Sequence, residues 1–411
     1  MRTTALLPAL FAYSVFALSP APTYAQQSID FATAVELARK NNPDWRAAEQ
    51  DVQAARGRVT TARLISPFNP AIETQAGPRR MPGEGTGTDV GVGLSMEVEI
   101  AGQRAARITE AENNLKKAEA GFQNFIRTFR AKIARAFYHA VLARERLALQ
   151  RRIENLNRTV LNVTNTKFQA GDVSGLEVNL AAVRFGQVRK DTFDAERDLR
   201  QSIAELRRLI GAEQTYLPEG KLDATAPVLA EAAALQTALS SRPDLMARRY
   251  ELQRVEAEIA LLRRQVLPNP IFGLSFNREG SGDKTVLAGI TVPLPVFNRR
   301  QGELESLEAR RLQARAELLA LEKDIHREVA QALDRWETAR QSAELFQREV
   351  MDKIDENFRL IQTAYREGRL DLPQLLVMEN NLIAANQSYL EVLSSLREAA
   401  IQIEEVTGEV R

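Results

Sequence analysis

The feature that most constrains this sequence is an internal duplication. Four motifs of the first half return in the same order in the second half, at an offset of about 200 residues. They pair Pro43-Asp44 with Pro243-Asp244, Asn69-Pro70 with Asn269-Pro270, Gly171 with Gly368, and Gly211 with Gly408. Such a unit is too long for a solenoid repeat, so the pattern predicts two copies of a helix, strand, strand, long helix, helix unit.

The N-terminal residues differ in character from the repeats. They contain Arg2, an apolar run from Ala5 to Leu18 and small residues ending at Ala25, a pattern typical of a cleaved signal peptide. Because the run contains Pro8 and is shorter than the ~20 residues of a spanning helix, it favours a signal peptide over a membrane anchor. The predicted segments are a signal peptide, a first repeat, a connector and a second repeat, at 1–25, 26–211, 212–234 and 235–411.

Each repeat contains residues that alternate with a period of two, which is typical of strands. In the clearest stretch the even positions are apolar: Val90, Val92, Leu94, Met96, Val98 and Ile100. The odd positions between them are glycine, serine or glutamate. The pattern predicts strands at about 68–77, 88–100, 270–278 and 284–294, joined in pairs by glycine-rich loops.

These hairpins allow two interpretations. A sheet with one apolar face is most often half-buried in an ordinary core. The second interpretation is a strand that crosses a bilayer beside a watery lumen. The length of about ten residues, with glycines and carboxylates opposite the apolar face, favours this second interpretation. Four strands cannot close a barrel, so several chains must share one. Two copies would supply eight strands and three would supply twelve, and we favour three because narrow barrels are filled by their own side chains.

Long helices dominate the rest of each repeat, so the predicted fold class is mainly α with a small β part. They are expected at about 103–169 and 301–367, and each would be about 100 Å long. Their apolar stripe is narrow, which suits helices that lie side by side in the wall of a hollow tunnel. For the helices alone, a periplasmic coiled coil fits equally well. The tips are expected at 171–172 and 368–369, where a glycine ends each long helix.

The residue inventory argues against catalysis and cofactor binding. The chain has no cysteine and only two histidines, His139 and His326, each beside polar neighbours on a predicted helix. Gly83, Gly85 and Gly87 do not have the spacing of a phosphate-binding loop. With 55 basic and 54 acidic side chains, the charge is too balanced for binding nucleic acid. We therefore expect no enzyme activity, no catalytic or metal site, no cofactor and no nucleic-acid partner.

Nearly everything after residue 25 resembles the TolC family of outer-membrane efflux channels. The resemblance is carried by the duplicated order, by the breaks at Pro43 and Pro243 and by the turns at Gly171 and Gly368. Two motifs, at 99–108 and 293–302, are similar to the CzcC-like branch, which serves heavy-metal resistance-nodulation-division (RND) pumps.

The resemblance implies a homotrimer with a shared twelve-stranded transmembrane β-barrel and a twelve-helix α-barrel tunnel. The barrel would lie in the lipid of the outer membrane of a Gram-negative bacterium, and the tunnel would extend far into the periplasm. Its tips would meet a periplasmic membrane-fusion adaptor, and through that adaptor an inner-membrane RND pump.

The resemblance also suggests residues for a periplasmic gate. In TolC a tyrosine, an arginine and aspartates close this end. Here Tyr365 has the corresponding spacing to Gly368, but Leu370 and Gln374 replace the arginine and an aspartate. The gate candidates are Tyr365, Arg369 and Asp371, with Asp172 at the first tip, although ordinary helix caps and solvated charges explain them equally well. The candidates for adaptor contact are Gly171, Asp172, Gly368 and Arg369.

The predicted function is a passive outer-membrane exit channel of a tripartite RND-type efflux system that exports heavy-metal cations from periplasm or cytoplasm. One alternative is a channel for drug efflux or type I secretion, which would differ in its partner pump. The alternative from another class is a periplasmic coiled-coil adaptor or scaffold without a pore, which would be extracted without detergent.

Overall fold

The computed structural model describes residues 27–81, 83, 85–224, 230–349 and 351–408. The predicted signal peptide and part of the predicted connector lie outside the described residues. The helices are α1 (Phe31–Asn41), α2 (Pro43–Ala62), α3 (Gln103–Ala170), α4 (Gly175–Ile210), α5 (Glu231–Ser241), α6 (Pro243–Gln265), α7 (Gln301–Glu349), α8 (Met351–Arg366) and α9 (Leu372–Thr407). The strands are β1 (Gln27–Ile29), β2 (Ala71–Met81), β3 (Gly85–Glu97), β4 (Tyr216–Pro218), β5 (Ile271–Arg278) and β6 (Lys284–Thr291).

The order of elements repeats, and the mainly helical fold class is confirmed. Two helices, two strands and a long helical stretch follow one another in each half, and a further helix ends it. The glycines that end the two halves, Gly211 and Gly408, both have positive φ, of 64° and 76°. A Cβ on Gly211 would lie 2.9 Å from the carbonyl carbon of Asn41, and one on Gly408 would lie 3.3 Å from Cα of Arg242. In each half the last glycine therefore packs on the break before the second helix.

Capping side chains explain where several helices begin. Asn42 precedes the Pro43 that opens α2, and its Oδ1 accepts a hydrogen bond from the Asp44 amide at 2.7 Å. Asp371 precedes α9 and forms a capping box with Gln374, in which each side chain bonds the other residue's backbone amide. The proline breaks in the sequence are thus helix starts.

The strands of the larger sheet follow the order β2-β3-β5-β6, and all neighbours are antiparallel. The pairing of β3 with β5 joins the two repeats, with Leu94 opposite Leu274. The outer edges of β2 and β6 have no strand partner among the described residues. The sheet is therefore open at both sides in a single chain.

Several strand ends differ from the predicted positions. β2 begins at Ala71 and not near residue 68, because Pro67 and Pro70 lack amide hydrogens for a ladder. β3 spans Gly85–Glu97 and so ends before the predicted residue 100. β6 ends at Thr291, ahead of Pro293, and not near residue 294. At its turn the first hairpin extends to Met81 and Gly85, beyond the predicted 77 and 88, whereas the second turns between Arg278 and Lys284 as predicted.

The interior is built along α3, a helix of 68 residues. Trp45 of α2 packs edge-on against Phe122, Phe125 and Phe129 of α3, with ring centroids 6.4, 5.9 and 6.0 Å away. β1 and β4 form a short parallel pair that was not predicted, since three residues are too few to show a period. The second predicted long helix is described as α7 and α8, and residue 350 between them lies outside the described residues.

Candidate functional site

The tips of the molecule are two tight turns between helices. Gly171, with φ of 84°, ends α3, and Ser174 caps the start of α4. Gly368, with φ of 74°, follows α8, and Asp371 caps α9. Left-handed backbone of this kind strains most residues with a Cβ, which explains the glycine at both turns.

Tyr365, the first gate candidate, is buried inside one chain. Its hydroxyl lies 2.6 Å from Oγ1 of Thr164 on α3. Nζ of Lys167 donates to the Tyr365 carbonyl at 3.1 Å and lies 4.7 Å from the ring centroid, close enough for a cation–π interaction. Burial raises the pKa of the Tyr365 hydroxyl above its usual value. Tyr365 thus attaches the end of α8 to the end of α3.

The other gate candidates have local partners. Nε of Arg369 lies 3.0 Å from the carboxylate of Glu367, and both side chains are exposed. Oδ1 of Asp371 accepts the Gln374 amide at 2.8 Å. Asp172 is exposed, and its backbone amide donates to the Lys167 carbonyl at 2.9 Å. No hydrogen bond or ion pair between two gate candidates occurs in the described part of the chain, so a shared gate stays a prediction.

A buried polar cluster near the tips was missed by the sequence analysis. Glu379 of α9 is fully buried, and its Oε1 accepts from Asn157 of α3 at 2.7 Å and from Arg184 of α4 at 2.9 Å. Its Oε2 has no hydrogen-bond partner in the part of the chain that the structure describes. A signal was available, because Glu379 follows Leu375 by four residues and so lies on the apolar stripe of α9. This cluster fixes three helices relative to one another.

Removing the tyrosine hydroxyl should weaken the contact between the two tips. We expect Tyr365→Phe to lower the free energy of unfolding by about 1 kcal/mol, since one buried hydrogen bond is lost and Thr164 keeps its bond to the Val160 carbonyl. Urea unfolding measured by circular dichroism would test this. Combining it with Thr164→Val in a double-mutant cycle isolates the pair, and a coupling energy of zero would contradict the assigned bond.

The open sheet has one apolar and one polar face. The apolar face carries large, exposed side chains from all four strands: Ile72, Val90, Val92, Leu94, Phe272, Leu274, Phe276, Val286 and Ile290. The other face carries mainly polar side chains, Glu73, Gln75, Ser275 and Asn277, with Leu287 of β6 opposite Ser275. A monomer in water rarely exposes so continuous an apolar surface. The alternation matches a sheet with lipid on one side and water on the other.

The polar face is tied together across its strands. Nε2 of Gln75 on β2 donates to Oδ1 of Asn277 on β5 at 3.1 Å, although β3 lies between them. The two side chains meet over Gly91, where a Cβ would collide with both. Gly91 therefore leaves room for polar side chains of both neighbouring strands.

Spanning helices and metal clusters are two further features that bear on function in the described residues. No helix in that part of the chain combines the length and the apolar character that crossing a bilayer requires. No group of three His, Cys, Asp or Glu side chains within it is placed to hold a metal ion. Nδ1 of His139 lies 3.1 Å from the Ser202 hydroxyl, and His326 is exposed.

Comparison with known proteins agrees with this geometry. The model of the family described as "Outer membrane efflux protein" matches residues 34–212 and 234–409, one stretch in each repeat. The chain belongs to this family. It is an outer-membrane efflux protein, and the predicted family and localisation are confirmed.

Three similar proteins show how far the likeness extends. The cobalt-zinc-cadmium resistance protein CzcC of Cupriavidus metallidurans is 25% identical over 94% of this chain and 92% of its own length. The nickel-cobalt-cadmium resistance protein NccC of Alcaligenes xylosoxydans is 24% identical over 72% of this chain and 66% of its own. The solved Campylobacter jejuni CmeC outer membrane channel matches with a TM-score of 0.77 at 17% identity, over 92% of this chain and 85% of that one. The predicted resemblance to the CzcC-like branch is confirmed.

Proposed function

We propose that three copies of this chain form a passive exit channel through the outer membrane, at the end of a tripartite RND-type pump that exports heavy-metal cations. The open sheet carries this proposal, because its apolar face needs lipid and its free edges on β2 and β6 need strands. Three copies supply twelve strands, which close into a barrel wide enough to leave a lumen. A coiled-coil scaffold would have no use for such a sheet.

The cargo assignment is supported by the relatives. CzcC and NccC are resistance proteins for cobalt, zinc, cadmium and nickel, as their names state. The match to CzcC extends over nearly the whole of both chains. We therefore assign divalent heavy-metal cations as the cargo, with the choice of cargo made by the inner-membrane pump.

The tips are proposed as the contact with a periplasmic adaptor. Beside the glycine turns, apolar side chains at the end of α3 and the start of α4 are exposed: Phe168, Leu176, Leu180 and Val183. On α4 they follow the spacing of one helix face. This arrangement suits docking of an amphipathic helix, and the predicted contacts Gly171, Asp172, Gly368 and Arg369 lie in the adjoining turns.

Single-channel conductance in a planar bilayer would test the pore. Detergent-extracted protein with the mass of a trimer should give discrete conductance steps, and Tyr365→Ala combined with Asp371→Ala should raise them if these residues hold the tips shut. A protein that is monomeric, leaves the cell with the soluble periplasmic contents and stays silent in both forms would overturn the proposal in favour of the scaffold.

The cargo needs a separate measurement. In cells that carry the matching pump and adaptor, deleting this chain should lower tolerance to zinc, cobalt and cadmium, and restoring it should recover tolerance. Tolerance to organic drugs serves as the comparison. Loss of drug tolerance with unchanged metal tolerance would assign the channel to drug efflux.

A further inference from the structure

We infer that Gln301, the first residue of α7, donates a hydrogen bond to Asn69 of the next copy of the chain, at the junction of barrel and tunnel. This inference rests on the proposed trimer and assigns residues to its subunit boundary. It is derived from a contact that already exists inside one chain, between the residues at the equivalent positions of the two repeats.

The existing contact joins Gln103 and Asn269. Gln103 is the first residue of α3, and its Nε2 donates to Oδ1 of Asn269 at 2.9 Å. Asn269 lies just before β5 and also donates to Glu97 at 2.8 Å. The amide of Val98, after β3, donates to the Pro270 carbonyl at 3.0 Å. These bonds thus join the segment after β3, in the first repeat, to the segment before β5, in the second repeat.

Gln301 occupies the same position in the second repeat. It begins α7 as Gln103 begins α3, and the residues before them both have positive φ: 58° at Arg300 and 74° at Gly102. Each glutamine folds back in the same way, because Oε1 of Gln103 accepts the Ala101 amide at 2.7 Å and Oε1 of Gln301 accepts the Arg299 amide at 2.8 Å. The two glutamines therefore present their Nε2 groups from equivalent local structures.

Among the described residues of one chain, Gln301 has no asparagine partner of this kind. Its Nε2 has a long bond of 3.4 Å to the Phe297 carbonyl. The counterpart of Asn269 is Asn69, two residues before β2, and it is exposed. The described chain thus contains one bonded glutamine–asparagine pair, Gln103 with Asn269. The residues of the second pair, Gln301 and Asn69, are not bonded to each other.

Barrel closure brings these halves together. In copies related by rotation about the barrel axis, all β2 strands run in the same direction. Neighbouring strands of the sheet are antiparallel, so β6, the fourth strand, runs opposite to β2. When β6 pairs with β2 of the next copy, the end of β6 and the start of that β2 lie side by side, about 5 Å apart. The segments that hold Gln301 and Asn69 then meet at the same end of the barrel.

Exposed apolar residues on both segments support this contact. Phe297 is 93% exposed and Ile65 is 87% exposed in the single chain. The backbone beside Ile65 is held by Arg104 and Arg107, which donate to the Leu64 carbonyl at 3.2 and 3.1 Å. Beside Phe297, the Asn298 side chain accepts the Arg300 amide at 2.9 Å. Exposed apolar side chains on ordered segments are typical of surfaces that another protein covers.

Cysteine cross-linking of the full-length protein tests the contact, because the chain contains no cysteine of its own. Detergent-extracted Asn69→Cys/Gln301→Cys, treated with a short bismaleimide, should give covalent dimers and trimers on a denaturing gel. Asn269→Cys/Gln103→Cys is the matched control, and it should link within the chain and stay at monomer mass. Asn69→Cys/Gln103→Cys should also stay at monomer mass, because Ala71 pairs with Ser95 on the neighbouring strand of the same chain and any link would form within that chain.

The outcomes separate this contact from the channel itself. Absence of linked chains in Asn69→Cys/Gln301→Cys, when the native mass is that of a trimer, would overturn the contact and leave the channel intact. A monomeric native mass would overturn both. If Phe297→Cys carrying a fluorophore is instead quenched by brominated lipid in the assembled protein, the apolar segment faces the membrane, and the inference is also wrong.

Discussion

Leu274→Arg should abolish insertion into the outer membrane. Leu274 lies in the middle of β5, between Leu94 and Ala288, on the apolar face of the sheet. An arginine facing lipid near the bilayer midplane costs about 2–4 kcal/mol in a barrel. Because each trimer would carry three such residues, the barrel would lose roughly 6–12 kcal/mol. Membrane fractionation should show the variant outside the outer membrane, with no trimer and no conductance.

The adjacent residue provides a matched control. Ser275 is on the same strand, but its side chain faces the polar side of the sheet, beside Gly93. In a barrel this side faces water, where charge is tolerated. Ser275→Arg should therefore insert and assemble, with at most a changed conductance. Equal insertion of the two variants would show that the apolar face does not contact lipid.

The sequence predicted the architecture because its signals are local and occur twice. The alternation of Val90, Val92 and Leu94 needs only the period of a strand, and the glycine turns need only the geometry of a helix end. The strand ends were less accurate. The alternation of apolar residues in the sequence continues through Val98 and Ile100. In the structure strand pairing ends earlier, because the prolines before β5 and after β6 have no backbone amide to donate to a neighbouring strand.

Contacts between distant residues could not be predicted in this way. Glu379 lies on the apolar stripe of α9, but only the fold shows that Asn157 and Arg184 surround it, because they are about 200 residues earlier in the chain. The tip residues were only partly predictable. The spacing of Asp371 and Gln374 is that of a capping box, and this local role accounts for Asp371 without a gate.

The two repeats also use different chemistry at equivalent junctions. In the first, Asn42 donates from its side chain to the Leu209 carbonyl at 2.8 Å. In the second, the same position holds Arg242, which is buried and bonds Asp244 through two nitrogens, at 2.6 and 3.1 Å. Arg127 of α3 also reaches Asp244, at 3.2 Å. Asp244 thus lies between two buried guanidinium groups and links the two repeats.

Asp244→Asn should strongly destabilise the chain. The substitution keeps the size of the side chain but leaves Arg127 and Arg242 buried without the carboxylate they share. Removing one partner of a buried ion pair costs about 3–5 kcal/mol when the remaining charge is uncompensated. Because Arg242 keeps its bond to Glu328 at 2.6 Å, we expect a loss at the lower end of this range. Urea unfolding in detergent should show this loss. Asp194→Asn, which breaks an exposed pair with Lys190, is the control and should leave the unfolding midpoint unchanged.

The pH dependence distinguishes a lost charge from a packing defect. Burial opposes ionisation of Asp244, but the hydrogen bond from Arg242 and the charges of Arg242 and Arg127 hold its pKa below the usual value. Because the pKa of Asp244 is lower in the folded chain than in the unfolded chain, its carboxylate stabilises the fold at pH values above the unfolded pKa of about 4. This contribution is lost as the pH falls through the pKa of the folded chain. The stability difference between wild type and Asp244→Asn should be full at pH 7 and shrink below about pH 4. A difference that stays constant over this range would mean that the substitution disturbs packing and that the charge of Asp244 does not join the repeats.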